Sequence, residues 1–391
     1  MTAITLHQSA AIANFSCLGD KCEDTCCKGW GMQLSAQTVA KYEAEAPELL
    51  DAVTSGEAEH IMKRDPETDY CVKFDKGWCG VHAKYGEDFL GDACHFFPRV
   101  TRKLGDAHLM TGSLSCPEMV RLGLTHGFDL VDGDTDRLPH SLKDYRHEAL
   151  EQDKALQVHR FFLQAVIADD ISPERAMAKL RSVAASMQAV DVASWGMAAE
   201  FYWKNADARL PTAEGNAADP FNLLNALQGL VGASKKTKRP RLDQTLSEMS
   251  LALETKLDWE TLGITTGAGS LAAFEQMQNQ WHTQWSAHFA PMLKSWLQAQ
   301  LSVACFPYAG LGDTLTDRAT LLGVRFATLK LALMSACAVQ ETIISEDDTV
   351  RVIQSLARFL DHLADPTLSL QIYSETGWVR EARLRSVIGD Y

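Results

Sequence analysis

Eight of the ten cysteines lie between Cys17 and Cys116, at Cys17, Cys22, Cys26, Cys27, Cys71, Cys79, Cys94 and Cys116; only Cys305 and Cys337 lie beyond. That density constrains the N-terminal part more than any other feature. Disulfide frameworks belong to oxidising compartments. Residues 1–16 hold no Lys or Arg and no apolar run of signal-peptide length, so a reduced, cytoplasmic setting is expected. Clustered thiols in that setting point to metal binding rather than cross-linking. The competing reading is eight reduced thiols, each packed as a small hydrophobe.

The first cluster, Cys17-Leu-Gly-Asp-Lys-Cys22-Glu-Asp-Thr-Cys26-Cys27-Lys-Gly-Trp30, puts four thiols in one short loop. Adjacent cysteines diverge on a strand or a helix. Cys26 and Cys27 therefore share one centre only if the backbone turns, which Gly29 permits; otherwise they serve two centres, or one is structural. The second group is spread over Tyr70-Cys71, Trp78-Cys79-Gly80, Cys94-His95-Phe96-Phe97-Pro98-Arg99 and Ser115-Cys116-Pro117. Zinc prefers four ligands in two close pairs. Iron–sulfur clusters take widely spaced thiolates, and a cysteine followed by proline recurs there. The paired spacing of zinc ribbons is absent, and so is the spacing of radical enzymes, because Cys27 follows Cys26 at once. Both metals stay open. His82, His95 and His108 are candidate nitrogen ligands, though each reads first as a non-ligand.

The region 1–130 reads as irregular, with many turn signals and one helix near 36–46 capped by Ser35. From 131 to 391 apolar residues recur at helical spacing. Helices are expected over 147–168, from Ser172-Pro173 onward, over 242–253, 270–301, 318–339 and 349–363. Loops are expected near 205–220 and 232–241, the latter a basic run of Lys235, Lys236, Lys238, Arg239 and Arg241 that reads as a solvated loop. Trp281, Trp285 and Trp296 should pack between helices. The most apolar stretch, Leu321–Val339, carries Arg325 and Lys330, so no membrane insertion is expected. The net charge of −14 makes nucleic acid a poor partner. The fold expected is mainly α: an irregular, cysteine-rich, metal-binding N-terminal region followed by a helical body.

Phe15-Ser16-Cys17, Cys22 and Cys26-Cys27-Lys28-Gly29-Trp30 resemble the opening motif of flagellin lysine N-methylases. Cys71, Cys79, the segment ending Phe97-Pro98-Arg99, and Leu114-Ser115-Cys116-Pro117-Glu118 follow that family's order. The resemblance covers roughly the first third of the chain. It implies an enzyme that methylates surface lysines of flagellin with S-adenosylmethionine and holds a [4Fe–4S] cluster on the N-terminal cysteines. The cluster's role has three readings: chelation of the donor, electron transfer, or a structural staple. Two alternatives come from other classes, a non-catalytic zinc- or iron-binding interaction protein and a cluster-containing redox enzyme.

A neutral lysine amine is required for polar methyl transfer, and no residue is singled out as the catalytic base. The glycine-rich loop of the usual dinucleotide-type fold is not found. Gly267-Ala268-Gly269-Ser270 reads as a loop capping a helix, and Val131-Asp132-Gly133-Asp134 as a turn. Trp30 and Arg99 are the candidate cofactor contacts. Arg102 is a further carboxylate clamp. Asp361, His362 and Asp365 form a base constellation if they are not plain surface residues. Glu23 and Asp24 either attract a lysine or sit on a solvated turn.

Overall fold

A computed structural model describes residues 4–55, 60–145, 152–233, 239–257, 263–363 and 366–390. The protein is mostly helical. The helix with the strongest claim on the core is Leu315–Gln340. It starts at a capping box in which Thr314 and Asp317 exchange hydrogen bonds. Its side chains are apolar on nearly every face, which suits full burial or a membrane. Here 89 % of its most apolar stretch is buried inside the fold, as in the core helix of a soluble protein. Around it pack Pro173–Gln188, Pro240–Ala252, Glu346–Leu360 and Glu381–Ile388.

The expected helix starts are largely observed. Ser35 caps Ala36–Glu45 by accepting from Thr38 N–H, and Ser172 caps Pro173–Gln188 by accepting from Arg175 N–H. The helix expected over 147–168 is seen as Gln152–Ala165; its first residues lie outside the described ones. The single helix expected over 270–301 is divided. A π-helical turn, Trp281–Trp285, separates Ser270–Gln280 from Ser286–Ala304. Trp281, Trp285 and Trp296 are buried, and Trp281 stacks on Phe289 at 5.8 Å. Of the basic run, Lys235, Lys236 and Lys238 lie outside the described residues. Arg239 lies over the Phe359 ring and Arg241 donates to Gln354, so these two are turned inward rather than solvated.

The N-terminal region holds more regular structure than expected. Four strands form one sheet in the order Arg99–Leu104, Ala107–Gly112, Ile4–Ser9, Leu130–Thr135. Ile4–Ser9 runs parallel to the second strand (His7 opposite Leu109) and antiparallel to the fourth (Ile4 opposite Thr135). The alternation that would reveal it is weak because the sheet is shallow. In Arg99–Leu104 only Thr101 and Leu104 are buried, and in Leu130–Thr135 no residue is. Val131-Asp132-Gly133-Asp134 is therefore strand, not turn; Gly133 faces Leu6 and leaves room for the Gln8 side chain. Gly267–Ser270 does cap a helix. Ser270 Oγ donates to Glu254 O and accepts from Gly267 N–H. A short strand, Ile264–Thr266, does precede it, but as one arm of an antiparallel hairpin with Thr255–Leu257.

Two apolar cores result. The large one joins the helices to Leu6, Ile12, Met110, Leu114, Met119 and Phe128 of the N-terminal part. A smaller satellite core contains Met32, Leu34, Val39, Tyr42, Leu49, Met62, Cys71, Val81 and Leu90. Cys27, Cys79 and Cys94 lie half-buried against it.

Candidate metal centre

The loop from Cys17 to Trp30 has little secondary structure, so its shape depends on special backbone positions and on anchors. Gly19 has φ +61° and lies against the Trp78 ring, where a Cβ would overlap the indole. Gly29 has φ +86°, the left-handed turn after the cysteine pair that only glycine adopts freely. Cys71 N–H donates to Cys27 O at 2.8 Å, which brings the distant cysteine to the first cluster. Trp30 Nε1 donates to Cys26 O at 2.6 Å.

The anchors come from the helix Glu346–Leu360. Arg358 donates to Asp24 (2.5 Å) and to Lys28 O (2.6 Å). Gln354 Nε2 donates to Asp24 (2.7 Å) and Ser115 O (3.1 Å). Glu23 pairs with Arg121 at 2.6 Å. Burial alone would raise the Glu23 carboxyl, but Arg121 wins and holds it below the usual range. Glu23 and Asp24 thus serve the fold. Residues 351, 354 and 358 recur at helical spacing, a signal that marks a polar stripe in the sequence but not what it holds.

Seven of the eight thiols separate into two groups, and Cys26 lies beside Cys27 of the first. Cys27 lies beside both Cys79 and Cys26, close enough for each to shift its thiol. Contact with Cys26, followed by burial, pushes the Cys27 thiol up to about 12. Contact with Cys27 raises Cys79 well above its ordinary value. Burial, then the charges of Cys27, Cys79 and Cys71, raises Cys94. Burial also raises Cys71. Cys27, Cys71, Cys79 and Cys94 therefore gather on the satellite core, within one another's electrostatic reach. The second group is Cys17, Cys22 and Cys116, at the edge of the large core. Burial pushes Cys116 up to about 12, with Cys22 and Cys17 adding to it. Cys22 donates to Asp24 O at 3.3 Å.

Among the described residues no three His, Cys, Asp or Glu side chains are drawn together closely enough to hold a metal ion. The first group nonetheless has the chemistry of a thiolate site. Its four half-buried or buried thiols form no disulfide; neighbouring thiols of the group raise Cys71, Cys79 and Cys94, Cys26 raises Cys27, and a cation would reverse that opposition to ionisation. The histidine side chains have other neighbours: His82 stacks on Trp78, His95 faces Glu87 at 3.3 Å, and His108 lies on the sheet.

Trp30 lies between the thiols and the body, with ring centroids 5.9 Å from Phe97 and 6.4 Å from His362. His362 Nε2 is 3.4 Å from Ser115 Oγ. Arg99 lies over the Phe15 ring at 5.3 Å. The expected base constellation is split. Asp361 pairs with Arg325 at 3.0 Å, away from His362, and Asp365 lies outside the described residues. Sequence reasoning did not identify Gln354 or Arg358, because nothing local marks a helix face that receives a loop more than 300 residues away, and it quoted Ser115 only as part of the Cys116 motif.

Comparison with known proteins adds an independent line. Residues 134–375 match the family model of the FliB lysine N-methylase C-terminal domain. Lysine-N-methylases of Salmonella choleraesuis and Salmonella typhimurium are each 29 % identical over 132 residues, covering 30 % of this chain and 32 % of the relative. The flagellar biosynthetic protein FliU of Salmonella muenchen is 29 % identical over 129 residues, covering 30 % of this chain and 76 % of FliU. The match thus spans about a third of the length of the two lysine-N-methylases. No solved structure matches. The family model covers the helical body over more than half of the chain, and the chain belongs to the FliB lysine N-methylase C-terminal domain family.

Proposed function

We propose that the protein is a cytoplasmic methyltransferase that transfers methyl groups from S-adenosylmethionine to surface lysines of flagellin. The family match over residues 134–375 carries this reading, and the name of FliU, a flagellar biosynthetic protein, supports a flagellar substrate. We assign Cys27, Cys71, Cys79 and Cys94 as holders of a [4Fe–4S] cluster, which supplies a staple to a core with few apolar side chains.

Lysine attacks a methyl group only as the neutral amine, and its reference pKa is about 10.4. The chain must therefore receive an ammonium and remove its proton. Trp30, Phe97 and His362 offer an aromatic surface for the approach. His362 reaches solvent, its Nε2 lies 3.4 Å from Ser115 Oγ, and desolvation lowers its pKa from the ordinary value; its ring is our candidate acceptor for the proton. Arg358 and Gln354 fix the loop that carries Trp30, and so fix the distance between the indole and His362. Holding the amine in line with the donor is the remaining task of such a site.

The test is anaerobically purified protein mixed with purified flagellin and S-adenosylmethionine carrying a labelled methyl group. Label on flagellin lysines, read by peptide mass spectrometry, is the expected result. Iron-replete protein that leaves flagellin unlabelled would overturn the reading. Iron analysis and the absorption spectrum separately test the cluster: a colourless zinc protein would remove it while leaving the methylation question to the label.

A further inference from the structure

A cavity of about 300 Å³ opens at the seam between the N-terminal sheet and the helical body. Its charged lining is unusual for a chain of net charge −14: Arg102, Arg318 and Arg325 face a single carboxylate, Asp361. Arg325 is the guanidinium that meets that carboxylate, at 3.0 Å. Arg318 donates to two backbone oxygens, its Nε to Gly312 O (3.2 Å) and its Nη1 to Pro307 O (2.9 Å), with the carboxylates of Asp313 and Asp317 nearby. Arg102 gives one bond to Thr101 O (3.3 Å) and lies over the Tyr145 ring at 5.9 Å. Its Nε is shielded from solvent and has no partner. Shielded guanidinium donors are normally satisfied, so an unpartnered one beside a cavity marks a missing acceptor. The rest of the wall is apolar, including Leu301, Phe306 and Leu322.

We propose that this cavity binds a small organic molecule carrying a carboxylate or phosphate, with the oxyanion held by Arg102 and Arg318 and the apolar part against Leu301, Phe306 and Leu322. Guanidinium forks match both oxyanions, and Arg325, already neutralised by Asp361, shapes the floor. The lining sets three guanidiniums against one carboxylate, and although Asp313 and Asp317 lie near Arg318, that excess disfavours a ligand of net positive charge such as S-adenosylmethionine. A neutral or anionic carboxylate, as in S-adenosylhomocysteine, and a nucleotide phosphate both fit. Asp361 lines the cavity while the next residue, His362, faces Ser115 and Trp30. A bound ligand would therefore sit one residue behind the aromatic junction. The proposal does not rest on the methyl-transfer reading, because it is tested by binding without turnover.

The experiment is calorimetric titration of the full chain with inorganic phosphate, ATP and S-adenosylhomocysteine at matched ionic strength, repeated with R102Q. At least one of the three should bind. R102Q should weaken it by roughly tenfold to a hundredfold, the loss of a charge-assisted hydrogen bond. Binding of phosphate or ATP identifies a phosphate site; binding of S-adenosylhomocysteine alone identifies a carboxylate site. A second measurement needs no variant: phenylglyoxal modification of the wild-type chain, mapped by mass spectrometry. The ligand that binds should protect Arg102 and Arg318 at least severalfold. No binding at concentrations about tenfold above a millimolar Kd overturns the proposal. So does binding that R102Q leaves unchanged, or that leaves both arginines equally reactive.

Discussion

The satellite core around Tyr42 and the large core around Leu315–Gln340 solve the same problem with different means. The large core buries Phe162, Phe289, Phe326, Trp281 and Trp378 almost completely and ties its charged groups in pairs, such as Lys330–Glu174 and Arg383–Asp219, at 2.8 and 2.7 Å. The satellite core has short strands, one ten-residue helix and a wall of thiols. Apolar burial alone supports a core of the first kind and leaves one of the second kind marginal. A cross-linking centre is what such a core lacks, and the cysteines are where it would go.

Metal removal tests that contrast most severely. A structural thiolate centre contributes on the order of 10 kcal/mol to the region it holds. Chelation should strip hydrogen-exchange protection from residues 60–94 and leave that of Leu315–Gln340 in place. Equal loss in both regions would show one cooperative unit. pH sharpens the same point. In the metal-free chain the Cys27 thiol is raised from its ordinary value to about 12. A thiol raised on folding contributes stability that is fully present below the unfolded value and is lost as pH rises through the folded one. Metal-free protein should therefore lose satellite stability between about pH 9 and 12. Metal-loaded protein, with thiolates already formed, should change less across that window in a pH series of hydrogen-exchange or melting measurements.

The large core should respond to a cavity instead. Phe326 is fully buried and lies 6.1 Å from Trp296, centroid to centroid. Phe326→Ala should cost about 3–5 kcal/mol and lower the global denaturation midpoint, with metal content unchanged. If metal content falls in step with stability, the two cores are not separable.

The junction comes next in size. Arg358→Ala removes the charged donor to Asp24 and Lys28 O, both partly shielded from solvent. The cost should be about 2 kcal/mol. It should loosen the Cys17–Trp30 loop and slow metal uptake before it alters the helices. Unchanged exchange of the Cys26–Trp30 amides in this variant would show that the loop is held by the thiols alone.

Much of this contrast was readable in the sequence, and the unreadable part has a common cause. Pro173–Gln188, Pro240–Ala252, Leu315–Gln340 and Glu346–Leu360 announce themselves by caps and periodicity, because each is specified by its own residues, whereas the helices Trp195–Lys204, Asp219–Ala233, Pro366–Glu375 and Glu381–Ile388 were not expected. The four-stranded sheet did not, because its register joins residues 4–9 to 107–112 and 130–135, and its exposed faces erase the alternation. The candidate site follows the same division. The cysteines were conspicuous as residue types, but their sorting into Cys27, Cys71, Cys79, Cys94 and Cys17, Cys22, Cys116 depends on how Gly29 turns the loop and on what Arg358 grips. Asp361 and His362 are neighbours in sequence that face different partners, so adjacency misled where geometry decided.

The smallest effect discriminates most cleanly, because the same chemical change can be made in both regions. Ser35 and Ser172 are helix caps of identical design, each accepting from the backbone N–H three residues on, at 3.1 Å. Replacing either by Ala should cost about 1 kcal/mol in its helix. Ser172→Ala lies in the cooperative body, so it should lower the global midpoint by that amount. Ser35→Ala should raise only the local opening of Ala36–Glu45, seen as faster amide exchange there with the global midpoint unmoved. Equal shifts of the global midpoint in both variants would mean that the thiol-lined core and the helical body unfold together, and the staple would then be stabilising the whole molecule rather than one corner of it.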